Sequence, residues 1–293
     1  MNITNVSFIG LGVMGYPMAG YLKKNNFNVT VFNRTNSKSQ KWVEEFKGQS
    51  SPTPGGAIKN AEVIFICVGR DDDLREVMEG EKGILHNAKK EAIIVDHTTA
   101  SAEIAREYHH KANQLNLSFL DAPISGGQAG AENGILSIMV GGEKKVFEEY
   151  IDILKTMGNP TLVGPISCGQ VSKLANQIIV GLTIGAVAEA ITLCEKADAD
   201  PNKMIEALKG GWADSKILQT HGKRMIDKDF TPKGKTSTHL KDMNNILECA
   251  KNFNTELPIS SLVKEMYKTL VENGHGGEDH SSLYKEIKRI NNE

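Results

Sequence analysis

The sequence contains few cysteines and no strong excess of charge of either sign. Its four cysteines are far apart and include no Cys-x-x-Cys pair, which favours reduced, buried thiols in a cytosolic protein. A formal net charge of −2 and scattered lysines and arginines argue against attraction to nucleic acid or to an anionic membrane surface. The N-terminus lacks a basic region followed by a cleavage site, so we expect no secretory signal and a cytoplasmic location.

The apolar pattern divides the 293 residues into an α/β part, residues 1–165, and a helical part, residues 166–293. In the first part, short apolar runs alternate with helical patterns, which predicts a mostly parallel, doubly wound sheet with helices on both faces. The predicted strands are Val6–Ile9, Val29–Phe32, Val63–Val68, Ile93–Asp96, Phe119–Ala122 and Leu136–Val140. The predicted helices are Met14–Lys24, Ser37–Phe46, Asp72–Met78, Ser101–Asn116 and Lys144–Met157.

The helical part opens with a proline-free, almost entirely apolar segment, which predicts one long helix over about residues 168–197. A membrane span is the alternative, but only 15 residues separate Lys173 from Glu189, and Asn176 and Gln177 lie among them. We therefore favour a central helix that joins the two parts. The further predicted helices are Pro201–Leu208, Lys216–Met225, Leu240–Phe253 and Ser260–Asn273.

A glycine motif lies between the first predicted strand and the first predicted helix. Gly10-x-Gly12-x-x-Gly15 has the spacing that a dinucleotide pyrophosphate needs: a tight turn, a close backbone approach and close packing of helix on strand. The helix N-terminus then offers free N–H groups and a positive dipole end to the phosphates. The context predicts a nucleotide cofactor, held by Gly10, Leu11, Gly12, Val13, Met14 and Gly15.

The end of the second predicted strand carries Asn33-Arg34-Thr35 where an NAD enzyme usually places an acidic residue. No acid follows until Glu44. Arg34 is a planar, permanently charged group suited to a 2′-phosphate. This turn therefore predicts NADP(H) as the preferred cofactor, with NAD as the alternative.

Three further constellations suit a small acidic substrate. Asp121-Ala-Pro-Ile-Ser-Gly-Gly127 ends a predicted strand, and its Ser-Gly-Gly turn is able to bind a carboxylate, although an ordinary tight turn has the same composition. Lys173 and Asn176 lie three residues apart and so on one face of the long helix. The third is His239-Leu-Lys241-Asp242, early in a later predicted helix, for which a solvated charge pair is the alternative interpretation.

Taken together, these motifs resemble the β-hydroxyacid dehydrogenase family over essentially the whole chain. The resemblance rests on Gly10 to Ala19, on Asp121 to Gly127 continuing to Gly142, on Gly169-Gln-Val-Ser-Lys173-Leu-Ala-Asn176, and on Lys241-Asp242. The segment from Gly274 to Leu283 is most similar to the tartronate semialdehyde reductase branch, whereas Asn33-Arg34-Thr35 is typical of NADPH-dependent glyoxylate and succinic semialdehyde reductases. The resemblance implies a Rossmann-type N-terminal domain, a connecting helix and an all-α C-terminal domain.

The resemblance also implies roles for individual residues. Lys173 is the expected general acid, which protonates the substrate carbonyl oxygen and accepts the alcohol proton in reverse. Asn176 is expected to hold the substrate oxygen, and Ser125, Gly126 and Gly127 its carboxylate. The expected cofactor contacts beyond the glycine turn are Asn33, Arg34, Thr35, Val68, Thr99 and Lys241.

The sequence thus predicts an NADP(H)-dependent oxidoreductase that interconverts small semialdehyde or keto acids and their hydroxy acids. An NAD-dependent 3-hydroxyisobutyrate dehydrogenase and a non-catalytic nucleotide-binding module are the alternatives. A metal is not expected, because His275 and His280, with Glu278 and Asp279, match no standard zinc spacing. The expected partners are a small carboxylate substrate and further copies of the chain in a homodimer or homotetramer, with no nucleic acid and no membrane.

Overall fold

Nine β-strands form one sheet in the N-terminal part of the chain, of which the computed structural model describes residues 3–293. They are β1 (Asn5–Ile9), β2 (Asn28–Phe32), β3 (Gln49–Ser50), β4 (Val63–Ile66), β5 (Ile93–Asp96), β6 (Ser118–Asp121), β7 (Ile124–Ser125), β8 (Leu136–Gly141) and β9 (Gly158–Gly164). Their order is β3-β2-β1-β4-β5-β6-β8-β7, and β9 pairs with β8. Neighbours from β3 to β6 are parallel, whereas β8 is antiparallel to β6 and β7. The predicted doubly wound fold is confirmed.

Helices pack on both faces of this sheet and bury the strands between two apolar cores. They are α1 (Gly15–Lys24), α2 (Asn36–Phe46), α3 (Pro54–Ile58), α4 (Asp71–Met78), α5 (Ile84–Asn87), α6 (Ala102–Gln114), α7 (Gly127–Glu132) and α8 (Lys144–Lys155). Successive strand residues point to opposite faces, so Phe65 belongs to one core with Phe8, and Ile64 to the other with Ile9. This burial on both faces explains why β4 and β5 are continuous apolar runs.

The sequence patterns missed the strands that lack an apolar run. β9 contains Pro160, and after the buried Gly158 it alternates between exposed and partly buried residues, as an edge strand does. β3 and β7 are two residues each, too short for a periodic signal. The expectation of buried thiols is right for Cys249 alone, since the other three free cysteines are partly exposed.

The chain divides after Lys173 into two compact units, and the second, Leu174–Glu293, is built from helices. Its elements are the larger part of α9 (Cys168–Lys196), α10 (Pro201–Leu208), a π-helical turn (Leu218–Gly222), α11 (Lys223–Ile226), α12 (Thr236–Asn252), α13 (Pro258–Glu272), two 3₁₀ turns (His275–Gly277 and His280–Ser282) and α14 (Leu283–Ile290). The long helix matches the predicted span. α12 begins four residues before the predicted Leu240, because Thr236 is buried and its hydroxyl donates to the Glu278 and Asp279 carbonyls.

The first turn of α9 is anchored to the carboxyl ends of the strands. The buried Asp121 carboxylate accepts the Ser167 and Gln170 backbone N–H groups, each at 2.8 Å. The Gln170 side chain is fully buried; its amide nitrogen donates to the Thr98 carbonyl at 2.7 Å, and its oxygen accepts the Ala100 N–H at 3.0 Å. The end of β6 and the loop after β5 are thereby fixed relative to the helix start.

By length and composition α9 is able to cross a membrane, and 39% of its most apolar stretch is buried within the chain. Core helices of soluble proteins pass the same test. The anchoring of its first turn by Asp121 and Gln170 favours the core-helix interpretation.

Replacing the anchoring carboxylate should destabilise the protein. Asp121→Asn keeps one acceptor oxygen but turns an amide group towards a buried N–H, which costs about 1–3 kcal/mol. We expect a lower midpoint in thermal or urea unfolding. Asp152→Asn, at a side chain that is 90% exposed in α8, is the matched control and should leave the midpoint unchanged. Equal stability of the two variants would contradict the anchoring role.

Candidate active site

A side chain would have a different effect at each of the three motif glycines. Gly10 has φ +100°, and a Cβ there would overlap the Cys67 carbonyl oxygen at the end of β4. A Cβ on Gly15 would overlap the Gly10 carbonyl oxygen, so this glycine lets α1 pack on the turn. A Cβ on Gly12 would meet no atom within 4 Å. Gly12 therefore borders open space, which is where the motif requires a ligand to approach the backbone.

That open space is a cavity of about 350 Å³ at the carboxyl ends of β1, β2 and β4. It lies where parallel α/β sheets bind nucleotides. Asn33 closes one side, because its Oδ1 accepts the Leu11 N–H at 2.9 Å and its Nδ2 donates to the Thr35 carbonyl at 3.0 Å. The lining residues are Ile9, Gly10, Gly12, Val13, Met14, Gly15, Phe32, Asn33, Arg34, Thr35, Lys38, Cys67, Val68, Gly69, Asp73, Glu76 and Val77.

The predicted cofactor contacts fall into three groups. Nine of them line the cavity, namely Gly10, Gly12, Val13, Met14, Gly15, Asn33, Arg34, Thr35 and Val68. Leu11 is buried and does not line the cavity; its backbone N–H donates to Asn33, which does. Thr99, after β5, and Lys241, on α12, are not among the lining residues, so their cofactor roles stay predictions.

Sequence reasoning missed two acidic residues on the wall opposite Arg34. Asp73 and Glu76 lie on α4, and Arg34 Nη1 is 3.2 Å from a carboxylate oxygen of each. The signal was the Asp71-Asp-Asp73-Leu-Arg-Glu76 segment, whose acids three residues apart share one helix face. Nothing in the sequence placed that face opposite Arg34.

A buried polar chain connects the ends of β4 and β5. The Val68 N–H donates to Thr98 Oγ1 at 3.2 Å, and the Thr98 N–H donates to the Asp96 carboxylate at 2.9 Å. Asp96 is fully buried, and burial raises its pKa to about 7, with Thr98 opposing part of that rise. His97 donates from Nδ1 to the Ala122 carbonyl if that nitrogen carries the proton, and burial lowers its pKa to about 4. Gln170 joins this chain to α9 through the Thr98 carbonyl.

Lys173 follows Gln170 by three residues on α9 and is only 9% exposed. Lysine is one of the side chains that transfer protons in enzymes, so this largely buried lysine is a candidate for that role. Its helix start is fixed to the strand ends by the Asp121 and Gln170 hydrogen bonds. These hydrogen bonds thus fix the turn of α9 that directly precedes the predicted general acid.

The second unit connects two other predicted residues through a polar chain. Asn176 donates to Gln177 at 2.8 Å, and Gln177 donates to Asp242 Oδ2 at 2.6 Å. Asp242 Oδ1 is 3.2 Å from the Lys241 ammonium. The chain ties α9 to α12 and shows that Lys241-Asp242 is more than a solvated surface pair, since Asp242 is buried.

The predicted carboxylate-binding turn has the backbone that its glycines require. Ser125 pairs with Ser137 across β7 and β8, and Gly126 and Gly127 follow with φ +134° and +62°. A Cβ on Gly127 would meet no atom within 4 Å, so this part of the turn is open. Its substrate role stays a prediction.

The histidines near the C-terminus form a hydrogen-bonded cluster different from the His275–His280 set considered from sequence. His221 Nε2 and His280 Nε2 are 2.8 Å apart, with Asp279 close enough to complete a set of metal-type ligands. Asp279 already accepts hydrogen bonds from the Lys233, Gly234 and Ser281 backbones and pairs with Arg224 at 3.0 Å. Because these contacts already use and neutralise the Asp279 carboxylate, we interpret the cluster as a structural polar core and not as a metal site.

Two family models together match most of the chain. Residues 5–173 match the NAD binding domain of 6-phosphogluconate dehydrogenase, and residues 167–287 match the NAD-binding model of NADP-dependent 3-hydroxyisobutyrate dehydrogenase. The 2-hydroxy-3-oxopropionate reductase of Escherichia coli is 38% identical over 290 residues, covering 98% of each chain.

The chain belongs to the β-hydroxyacid dehydrogenase family. It is an NAD(P)-dependent oxidoreductase of the 3-hydroxyisobutyrate dehydrogenase type, and not a non-catalytic nucleotide-binding module. An uncharacterised oxidoreductase of Shewanella frigidimarina is 39% identical and covers 98% of this chain and 99% of its own.

A solved β-hydroxyacid dehydrogenase has the same fold. The 3-hydroxyisobutyrate dehydrogenase of Mycobacterium tuberculosis, solved with L-serine, superposes with a TM-score of 0.89 over 97% of this chain and 99% of its own. The two sequences are 23% identical, so this likeness concerns the fold alone. The Gly10–Gly15 turn and the cavity beside it fit the cofactor that the family uses.

Two alanine substitutions should separate folding from cofactor binding. Gly12→Ala meets open space and should keep the unfolding midpoint while weakening cofactor binding about tenfold or more, the cost of one lost charge-assisted hydrogen bond. Gly10→Ala forces a left-handed residue against Cys67 and should lower stability by about 1–3 kcal/mol. Thermal unfolding and NADPH fluorescence titration check both. Unchanged affinity in stable Gly12→Ala would show that the cofactor does not approach this turn.

Proposed function

We propose that the protein reduces small aldehyde or keto acids with NADPH, using Lys173 as the general acid. The observation that supports this most is the burial of Lys173 in the second turn of α9, one turn after Gln170, which binds the strand-end loop at Thr98 and Ala100. That loop follows β5 and is joined through Thr98 to Val68 at the cavity.

The proton chemistry is assigned to one side chain. The nicotinamide, when bound, supplies or accepts the hydride. Lys173 in its ammonium form donates a proton to the carbonyl oxygen of the substrate, and in the oxidative direction the neutral amine accepts the alcohol proton. Asn176, three residues later in the same helix, is proposed to orient that oxygen.

The substrate class follows from the turn after β7 and from a relative. Ser125, Gly126 and Gly127 are proposed to bind the substrate carboxylate with a hydroxyl and backbone N–H groups. The relative named 2-hydroxy-3-oxopropionate reductase is 38% identical over nearly the whole chain, which supports a three-carbon aldehyde acid. Oxidation of 3-hydroxyisobutyrate is the second candidate, supported by the family model that matches residues 167–287, which is named for an NADP-dependent enzyme with this substrate.

We also propose that copies of the chain associate through the second unit. Several large apolar side chains there are at least 63% exposed in the single chain, namely Ile179, Leu193, Trp212, Ile259 and Leu262. Exposed apolar patches of this kind mark interaction surfaces.

Removing the Lys173 ammonium should slow the proton-transfer step and leave cofactor binding unchanged. Lys173→Ala should lower turnover by about two to four orders of magnitude, the usual contribution of acid–base catalysis. The assay follows NADPH oxidation with 2-hydroxy-3-oxopropionate, succinic semialdehyde, glyoxylate and methylmalonate semialdehyde. Lys144→Ala, at a side chain 78% exposed, is the control. Full turnover in Lys173→Ala would remove the lysine from the mechanism.

Reversing the charge at Arg34 should change cofactor preference. Arg34→Asp places a carboxylate where the 2′-phosphate of NADP(H) is proposed to bind, so the apparent constant for NADPH should rise far more than that for NADH. Steady-state titration of each cofactor at saturating substrate measures both constants. Equal effects on the two cofactors would refute the role of Arg34.

A further inference from the structure

The guanidinium of Arg34 is shared between two carboxylates on the opposite wall of the cofactor cavity. Its Nη1 lies 3.2 Å from Asp73 Oδ1 and 3.2 Å from Glu76 Oε2. Arg34 follows β2, whereas Asp73 and Glu76 occupy one face of α4, after β4. The three side chains therefore join two walls of one cavity.

The charged side chains that line this cavity cancel one another. They are Arg34 and Lys38 on one side and Asp73 and Glu76 on the other, two positive and two negative groups. A pocket that selects strongly for a 2′-phosphate needs an excess of positive charge, because that phosphate carries about two negative charges near neutral pH. Here the excess is absent among the lining residues.

The ion pairs themselves hold Arg34 weakly. The Arg34 side chain is 73% exposed, and those of Glu76 and Asp73 are 59% and 24% exposed; ion pairs of such an exposed guanidinium add little stability. A phosphate is therefore able to displace the carboxylates from Arg34. Their negative charges nevertheless remain on the cavity wall and repel the phosphate.

We propose that Asp73 and Glu76 are specificity-determining residues, which weaken NADP(H) binding and so keep NAD(H) usable. Binding of NADP(H) brings a dianion next to both carboxylates, whereas NAD(H) has a neutral hydroxyl at that position. The pyrophosphate is common to both cofactors, so the carboxylates distinguish between them through the 2′-phosphate. This inference rests on the proposed role of Arg34 as the 2′-phosphate ligand.

The test is direct binding of NADPH and NADH to the purified protein, followed by cofactor fluorescence at low and at high salt. The double variant Asp73→Asn/Glu76→Gln should lower the Kd for NADPH by about tenfold at low salt and leave the Kd for NADH within about twofold. The gain should shrink at high salt, since Arg34 and Glu76 are largely exposed to solvent. The single variant Glu76→Gln, at the more exposed site, should give a smaller change of the same sign.

Asp72→Asn is the matched control. Asp72 is on the same helix, its side chain is 84% exposed, it lies 3.8 Å from Arg70, and it does not line the cavity. Its substitution should change neither Kd.

The outcomes separate this inference from the proposed function. If Arg34→Ala weakens NADPH binding selectively but the double variant leaves the ratio of the two Kd values unchanged, the carboxylates do not set specificity. Weaker NADPH binding in the double variant would also overturn the inference, because the acids would then position Arg34 for the phosphate. If Arg34→Ala leaves the ratio unchanged, the proposed cofactor preference itself is wrong.

Discussion

A buried carboxylate and a buried amide hold the start of α9 against the ends of the strands, and the arrangement of the catalytic candidates depends on them. Asp121 accepts the backbone of the first turn, while the Gln170 side chain bonds the loop after β5 on both its donor and acceptor sides. Lys173 lies one turn further along the same helix. Its backbone position is therefore set by groups that have no part in proton transfer, which is the kind of preorganisation that acid–base catalysis requires.

The parts of the site that follow from local backbone constraints could be predicted from the sequence. A Cβ on Gly10 or on Gly15 would overlap a carbonyl oxygen, so the chain needs glycine at both positions. Their spacing identifies the strand–turn–helix unit when an apolar run precedes the glycines and a helical pattern follows them. The continuous apolar runs of β4 and β5 likewise reflect burial on both faces. Lys173 and Asn176 share a helix face because of helical geometry alone.

The parts that depend on distant residues could not be predicted. His221 meets His280 across 59 residues, and Arg34 meets Asp73 and Glu76 across 39 and 42 residues. No period or motif links such positions, since their proximity comes from the packing of whole elements. β9 was missed for another reason: Pro160 and flanking glycines suppress the strand signal, and only pairing with β8 makes the segment a strand.

Cofactor preference depends both on a local sequence feature and on contacts between residues that are distant in sequence. An acidic residue after β2 would hydrogen-bond the ribose hydroxyl of NAD, and its absence can be recognised from the short segment that follows β2. The affinity for a phosphate instead depends on the sum of all charges that face it, weighted by distance and by solvent screening. In this protein half of those charges come from α4, a different βα unit. On the proposed assignment, Arg34 marks the binding position of the 2′-phosphate, and Asp73 and Glu76 contribute to the charge environment that sets how strongly the phosphate is held.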